Sequence, residues 1–189
     1  GLFNPKIKRF RTNRLLLIEK IKNEVSDKNN IIWFHVASLG EYEIAVPLIR
    51  LIKEKYKSKI ILTFFSESGF KLKNRIKEID YTYYLPLDTK SNAKKFLDII
   101  NPELVIFVRS EIWPNYLNEI KKRNIKSYLV ESRFNQNSRY LRGIQSIFYL
   151  KKLKIFDKIF SVDEESKKAL NRVKINNAVV SGSLKIERV

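Results

Sequence analysis

The stretch that decides the fold is Trp33-Phe34-His35-Val36-Ala37-Ser38-Leu39-Gly40-Glu41. The apolar run over 31–37 indicates a buried strand, which ends where Ser38 and Gly40 interrupt it. Glu41 then opens a long amphipathic pattern, so a carboxylate lies at a strand-to-helix turn. In open α/β sheets, ligands bind at the carboxyl ends of the strands. A catalytic acid or base is therefore expected at this turn.

Strand-like and helix-like patterns alternate along the rest of the chain. The strand-like runs are Ile31–Ala37, Ile60–Phe65, Tyr81–Leu85, Leu104–Val108, Lys126–Val130, Lys158–Val162 and Ala178–Val180. Between them apolar residues recur at helical spacing, and the sequence over 161–164 has the pattern of a capping box that begins at Ser161. Such alternation predicts βαβ units. The fold class predicted is α/β, a Rossmann-like parallel sheet with helices on both faces.

Composition limits the kinds of site that the chain can form. Its 189 residues are enough for one sizeable core. The absence of Cys and the single His exclude disulfides, thiolate metal sites and His-cluster metal sites. No apolar run reaches the roughly 18 to 20 residues of a spanning helix. The absence of Met suggests a fragment or a processed chain, because a translation product begins with Met.

The net charge of +18 predicts a polyanionic partner. Nucleic acid, an anionic membrane surface and a phosphorylated substrate all fit this charge, and compositional drift is the plain alternative. Residues 1–30 are basic and contain a short amphipathic pattern around Leu15–Ile18, so they are interpreted as a segment distinct from 31–189.

Motifs for common nucleotide sites are missing from the sequence. The glycines stand alone, so there is neither a Walker loop nor a GxGxxG turn. There is no Asp-x-Asp pair either, which argues against a metal-bridged nucleotide-sugar site. No metal ligand is predicted.

Polar residues follow several of the predicted strands, and each has a structural alternative. Ser38 and Glu41 have the spacing of a capping box, in which the helix dipole would keep the carboxylate ionised. Glu111 follows the fourth strand and places a second carboxylate at the same edge, or it only starts a helix. Arg133 follows the fifth strand and could hold a carboxylate or phosphate, or lie free on the surface.

Two further positions complete the set of candidates. The sequence Ser66-Glu67-Ser68-Gly69 follows the second strand, where it forms either an anion-binding helix start or a plain turn. His35 lies inside a strand, which favours a hydrogen-bonded core histidine over a ligand.

Taken in order, these motifs resemble the amino-terminal domain of bacterial 3-deoxy-D-manno-octulosonic acid (Kdo) transferases. The matching segments are 33–41, Pro47-Leu48-Ile49, Ser66-Glu67-Ser68-Gly69, Tyr84-Leu85-Pro86-Leu87-Asp88, Ser110-Glu111-Ile112-Trp113-Pro114-Asn115, Ser132-Arg133-Phe134-Asn135 and Gly182-Ser183-Leu184-Lys185. The resemblance covers roughly residues 1 to 186, and the ordered pair Ser-x-Gly-Glu and Glu-x-Trp-Pro-Asn is its most specific part.

The resemblance implies a fold and a reaction. It implies the N-terminal half of a GT-B glycosyltransferase that receives a lipid A precursor, with a C-terminal donor domain elsewhere in the same protein. The implied reaction is inverting transfer of Kdo from CMP-Kdo in lipopolysaccharide biosynthesis, at the cytoplasmic face of the bacterial inner membrane, with no cofactor besides the sugar donor and no nucleic acid. The basic residues 1–30 would then be a juxtamembrane segment and 31–189 the acceptor domain.

The resemblance also assigns roles to residues. Glu41 falls on the family's catalytic carboxylate and Glu111 on a second functional one. The predicted substrate-binding residues are Ser38, Gly40, Ser66, Ser68 and Arg133. Three positions depart from the family pattern: Arg109 stands where an acidic residue is frequent, and Glu131 and Ser183 each replace an Asn. Two other interpretations remain, a non-catalytic domain that docks to membranes or a partner and, less favoured, a nucleic-acid-binding module.

Overall fold

The computed structural model describes residues 14, 16–66, 78–138, 140–143 and 146–185. Its strands are β1 Ile31–Val36, β2 Lys59–Phe64, β3 Tyr81–Tyr84, β4 Leu104–Val108, β5 Lys126–Ser132, β6 Lys158–Ser161 and β7 Ala178–Val180. Its helices are α1 Leu17–Glu24, α2 Leu39–Lys55, α3 Lys90–Ile100, α4 Pro114–Lys122, α5 Ser146–Leu153 and α6 Glu164–Arg172. The strands form one parallel sheet in the order β3-β2-β1-β4-β5-β6-β7.

Strand β1 is third in the order of the seven-stranded sheet, and all six of its residues are buried. Side chains of a strand alternate between faces. Trp33 therefore points to one layer with α1 and α3–α6, and Phe34 points to the other, where α2 packs. The prediction of a parallel sheet with helices on both faces is confirmed.

The aromatic side chains concentrate on the face that carries α1 and α3–α6. The indole ring of Trp33 meets the rings of Phe96, Phe107 and Tyr116 at centroid distances of 5.0 to 5.5 Å, in edge-on or tilted arrangements. Aromatic pairs of this kind add about 0.5–1.5 kcal/mol beyond the burial of their area. This cluster holds β1 in the core, and the candidate site begins where that strand ends.

The described residues of the basic segment 1–30 pack into the hydrophobic core beside the sheet. Leu17, Ile21 and Val25 are buried in the aromatic layer, and α1 packs against α3. The Arg14 guanidinium donates hydrogen bonds to the carbonyls of Phe65 and Leu85, at 2.7 and 3.0 Å. The basic residues from 1 to 13 lie outside the described residues.

The start of α6 differs from the prediction. Asp163, not Ser161, is the N-cap, and its side chain accepts a hydrogen bond from the Ser166 amide at 2.8 Å. Ser161 still belongs to β6, since its backbone pairs with β5 and β7. The predicted capping box, which begins at Ser161, was therefore wrong, because the N-cap lies two residues later.

In the described part of the chain, no helix has the length and apolar character needed to cross a membrane.

Candidate functional site

Glu41 lies in the first turn of α2, directly after β1. Its Oε2 accepts a hydrogen bond from the Ala37 amide at 2.6 Å, so the carboxylate turns back toward the end of the strand. Ser38 is the N-cap in an extended conformation, but its side chain makes no capping hydrogen bond. The capping box predicted for this pair is wrong. The Ser38 side chain accepts no hydrogen bond from the helix, and the Glu41 carboxylate binds the Ala37 amide instead of the Ser38 amide.

A cleft of about 730 Å³ opens beside this turn. It is lined by Ser38, Gly40, Glu41, Glu43, Ile44, Val46, Pro47, Arg50, Arg109 and Lys185. Three of the predicted site residues, Ser38, Gly40 and Glu41, thus lie together on one wall. The cleft is at the carboxyl end of β1, where a parallel sheet is expected to bind its ligand.

Gly40 keeps the first turn of α2 open. A Cβ at this position would meet no other atom within 4 Å, and the residue does not need a positive φ. Glycine in a helix costs roughly 0.5–1 kcal/mol relative to alanine. Among the described residues, neither packing nor backbone conformation requires a glycine at this position.

Burial raises the pKa of Glu41 to about 6. The Ala37 amide lowers the pKa, the negative charge of Glu111 raises it, and the positive charge of Arg109 lowers it. The sequence led us to expect an ionised carboxylate at the helix start, and the loss of solvation brings its pKa closer to neutral pH than that expectation implied. A carboxylate with a pKa near 6 is ionised at neutral pH and is a stronger base than a solvated one.

Glu111 is held by two ring nitrogens. Its Oε2 accepts a hydrogen bond from Trp113 Nε1 at 2.9 Å and lies 3.3 Å from His35 Nε2. Its side chain is 18% exposed and faces a smaller cavity of about 270 Å³ whose lining includes Ala37 and Trp113. Because Ala37 also binds Glu41, the two carboxylates lie on either side of the end of β1.

His35 belongs to a buried chain of hydrogen bonds that ends at Glu111. Its Nδ1 lies 2.8 Å from Thr63 Oγ1, which also accepts from Trp33 Nε1 at 2.8 Å. Since an indole N–H can only donate, the single Thr63 hydroxyl proton goes either to His35 Nδ1 at 2.8 Å or to the Phe34 carbonyl at 3.3 Å, and the shorter distance favours His35. The tautomer with the proton on Nε2 then donates to Glu111. The prediction of a hydrogen-bonded core histidine is confirmed, and the same residue also orients a candidate functional carboxylate.

The other predicted substrate-binding residues lie away from the cleft or outside the described chain. Ser66 donates its backbone amide to the Ala37 carbonyl at 2.8 Å, at the end of β2. Ser68 lies outside the described residues, as do its neighbours from 67 to 77. Arg133 is 54% exposed and lies 3.9 Å from both Glu131 and Asp163, beyond the lining of the cleft.

Two of the departures from the family pattern contact each other. Glu131 is buried at the end of β5, and its carboxylate accepts from Ser183 Oγ at 2.8 Å and from the Leu184 amide at 2.7 Å. The segment after β7 is thereby attached to the sheet edge. Sequence reasoning treated these positions separately, because they are 52 positions apart in the chain.

No group of three or more His, Asp or Glu side chains is arranged to hold a metal ion within the described ranges.

The titration of Glu41 gives a direct check of this geometry. In the 189-residue chain we expect the Glu41 carboxyl to titrate near pH 6 instead of near 4.5. Glu111→Gln removes a repelling charge, so it should lower that midpoint. A ¹³C NMR titration of the glutamate carboxyl signals measures both, and Glu54→Gln, an exposed position on the same helix, is the control that should leave the midpoint unchanged. A Glu41 midpoint near 4.5 in the unmodified chain would contradict the desolvated site.

A seven-stranded parallel sheet with helices on both faces and a cleft at the carboxyl ends of its strands defines a Rossmann-like domain of the GT-B type. Solved structures agree on the fold. The structure of UDP-GlcNAc 2-epimerase from Neisseria meningitidis bound to UDP-GlcNAc matches with a TM-score of 0.60 at 14% identity. The match covers 82% of this chain and 47% of that one, so this domain corresponds to about half of such a protein.

Within this class, the chain belongs to the family of 3-deoxy-D-manno-octulosonic-acid transferases (kdotransferases), whose family model matches residues 9–188. It is 32% identical over 168 residues to the 3-deoxy-D-manno-octulosonic acid transferase of Rickettsia felis, covering 88% of this chain and 36% of that protein. It is also 32% identical over 114 residues to the enzyme of the same name from Haemophilus influenzae, covering 59% of this chain and 27% of that protein. The chain thus spans about a third of the length of these relatives, as the N-terminal domain of the family.

Proposed function

We propose that this chain is the acceptor-binding half of an inverting glycosyltransferase that moves Kdo from CMP-Kdo to a lipid A precursor. The observation that carries the proposal is the carboxylate of Glu41, which lies in an open cleft with its pKa raised by burial to about 6. Family membership supports Kdo transfer as the reaction class. The identity of the donor as CMP-Kdo and of the acceptor as a lipid A precursor is part of the proposal.

In the proposed reaction, Glu41 removes the proton from a hydroxymethyl group of the phosphorylated glucosamine disaccharide. The acceptor oxygen forms a bond to the anomeric carbon of Kdo while the bond from that carbon to the CMP phosphate oxygen breaks. CMP leaves with the electron pair, and attack from the opposite face inverts the configuration. The proton moves late, because a carboxylate becomes an adequate base for an alcohol only as the donor carbon gains oxocarbenium character.

Glu111 acts through its charge and its fixed position in this scheme. Two hydrogen bonds from His35 and Trp113 hold its carboxylate, and its charge raises the pKa of Glu41. A base with a pKa closer to the working pH transfers protons more efficiently. We assign to Glu111 the role of keeping Glu41 basic.

The proposed reaction needs no cofactor besides the sugar donor, because CMP is already a good leaving group.

The charge of the chain supports a location for this reaction. A net charge of +18 favours an anionic membrane surface, so we place the domain at the cytoplasmic face of the bacterial inner membrane. The donor-binding C-terminal domain of the same protein would then face the Glu41 cleft, and nucleic acid is not among the proposed partners.

The experiment that tests the proposal uses the full-length protein. Purified protein is incubated with CMP-Kdo and a tetra-acylated, bisphosphorylated disaccharide, and the product is detected by mass spectrometry as the acceptor plus Kdo. Binding to vesicles that contain anionic phospholipid is measured in parallel. Transfer supports the proposal. Vesicle binding without transfer, in a protein that is folded, would instead favour a domain that only docks to membranes.

A further inference from the structure

Arg109 has an unusual backbone conformation at the sheet edge next to Glu41. It follows β4 with a φ of +67°, in the left-handed region, while its amide donates to the Val130 carbonyl at 2.8 Å. For a residue other than glycine this conformation costs roughly 1–3 kcal/mol, and such strain persists where the surrounding structure or the function requires it. The strained residue therefore needs an explanation.

The neighbouring strand provides a comparison. Glu131, at the end of β5, also has a positive φ, of +54°. There the carboxylate accepts two hydrogen bonds from the segment after β7, which gives its conformation a structural reason. Arg109 shares the backbone conformation but has no such structural partner.

The Arg109 side chain lines the same cleft as Glu41 and lowers the pKa of that carboxyl through its charge, but no close ion pair with a described residue holds it. Its Nε is buried and makes no hydrogen bond, and no carboxylate among the described residues lies within 4.0 Å of its guanidinium group. Lys185 lines the cleft and is likewise without an ion-pair partner in the described part of the chain. Arg50, by contrast, is paired with Glu78 at 2.8 Å.

An unpaired buried N–H costs about 1–3 kcal/mol unless a ligand satisfies it. A guanidinium group offers planar, paired donors that match the oxygens of a carboxylate or a phosphate. The cleft beside Glu41 thus contains a buried guanidinium nitrogen that no described residue satisfies, and an anionic group of a ligand would satisfy it.

We propose that Arg109, with Lys185 at the rim, binds an anionic group of the substrate, a carboxylate or a phosphate, beside Glu41. The proposal rests on the proposed function, in which the donor carries a carboxylate and a phosphodiester and the acceptor carries phosphates. Arg109 stands at a position where the family resemblance leads one to expect an acidic side chain. The proposed anion subsite is therefore a feature of this sequence and is not implied by the family pattern.

The test compares four variants of the full-length protein with the wild type. Arg109→Gln removes the charge, Arg109→Lys keeps it without the paired donors, and Arg109→Gly removes the side chain while relieving the strained backbone. Arg172→Gln, at an exposed position on α6, is the matched control. The KM for CMP-Kdo, the KM for the acceptor with and without its phosphates, kcat, and the midpoint of urea unfolding are measured for each protein.

We expect Arg109→Gln to raise one KM by about tenfold to a hundredfold, with a smaller rise for Arg109→Lys and none for Arg172→Gln. A rise for CMP-Kdo assigns the anion to the donor, and a rise that disappears with the dephosphorylated acceptor assigns it to the acceptor. Arg109→Gly should show the same rise while unfolding at an equal or higher urea concentration, which a purely structural role would not produce. Unchanged KM values in Arg109→Gln and Arg109→Gly would overturn the proposal.

The outcome separates this proposal from the proposed function. If the wild-type protein transfers no Kdo, the function proposed above fails. Equilibrium binding of CMP-Kdo and of the bisphosphorylated disaccharide, each measured by calorimetry, still decides the role of Arg109. Weaker binding of either ligand by Arg109→Gln than by Arg172→Gln supports the anion subsite, and equal binding of both ligands refutes it.

Discussion

Glu41→Gln in the full-length protein is expected to lower the rate of Kdo transfer by about a hundredfold to ten-thousandfold, the usual contribution of a general base. The amide has nearly the same shape as the carboxylate, and its oxygen can still accept the hydrogen bond from the Ala37 amide. It cannot, however, take a proton from the acceptor hydroxyl. The loss should appear in kcat, measured at saturating CMP-Kdo and lipid acceptor, with little change in either KM.

The stability of the same variant separates a catalytic role from a structural one. Because burial raises the pKa of Glu41 from 4.5 to about 6, the folded domain binds this proton more tightly than the unfolded chain does. Ionisation of Glu41 therefore weakens the fold as the pH rises through this range, and the uncharged glutamine should unfold at an equal or higher urea concentration at pH 7.

The control for this experiment is Glu54→Gln, a change of the same kind at an exposed position of α2. It should keep wild-type transfer. Near wild-type transfer by Glu41→Gln would refute the assignment of the base, as would an equal loss in both variants.

Thr63→Val should destabilise the fold by about 2–4 kcal/mol, since it leaves two buried nitrogens without a hydrogen-bond partner. Thr63 is fully buried, pairs with His35 across the sheet, and lies within hydrogen-bond distance of Trp33 Nε1 and His35 Nδ1. Valine has the same shape but no oxygen. The free energy of unfolding of the 189-residue chain, measured by urea denaturation at pH 7, gives the size of the effect.

The matched control is Thr82→Val, the same change at a half-buried position of β3. It should change the free energy of unfolding by less than about 0.5 kcal/mol, as is usual away from buried networks. If the two variants lose equal stability, the hydrogen-bond chain from Trp33 to Glu111 does not stabilise the fold as described.

Much of the fold follows from local patterns. The seven strand-like runs match β1 to β7 to within a residue or two at their ends, because buried parallel strands are nearly continuous apolar runs. The helical pattern is weak over α5, because its Lys residues and its exposed Ile147 and Phe148 blur the apolar periodicity. The N-cap of α6 was misplaced because Ser161 and Asp163 are both good caps by composition alone.

The site could be predicted only in part, because it depends on contacts across the sheet. The turn that carries Glu41 is visible in the sequence, and so is the second carboxylate, Glu111. The raised pKa of Glu41 depends on burial and on the charges of the loop that follows β4, and neither can be read from residue spacing. The cation at Arg109 was noticed as a departure from the family pattern, but its unpaired state is visible only in three dimensions.

The hydrogen-bond chain described above includes both tryptophans of the protein. Trp33 donates to Thr63 at the buried end, and Trp113 donates to Glu111 at the open end, with His35 between the two indoles. Indole emission depends on the polarity and hydrogen bonding of its surroundings. The intrinsic fluorescence of this domain is therefore an optical signal that originates at the carboxyl end of β1, and occupancy of the smaller cavity lined by Glu111 and Trp113 can be followed without attaching a dye.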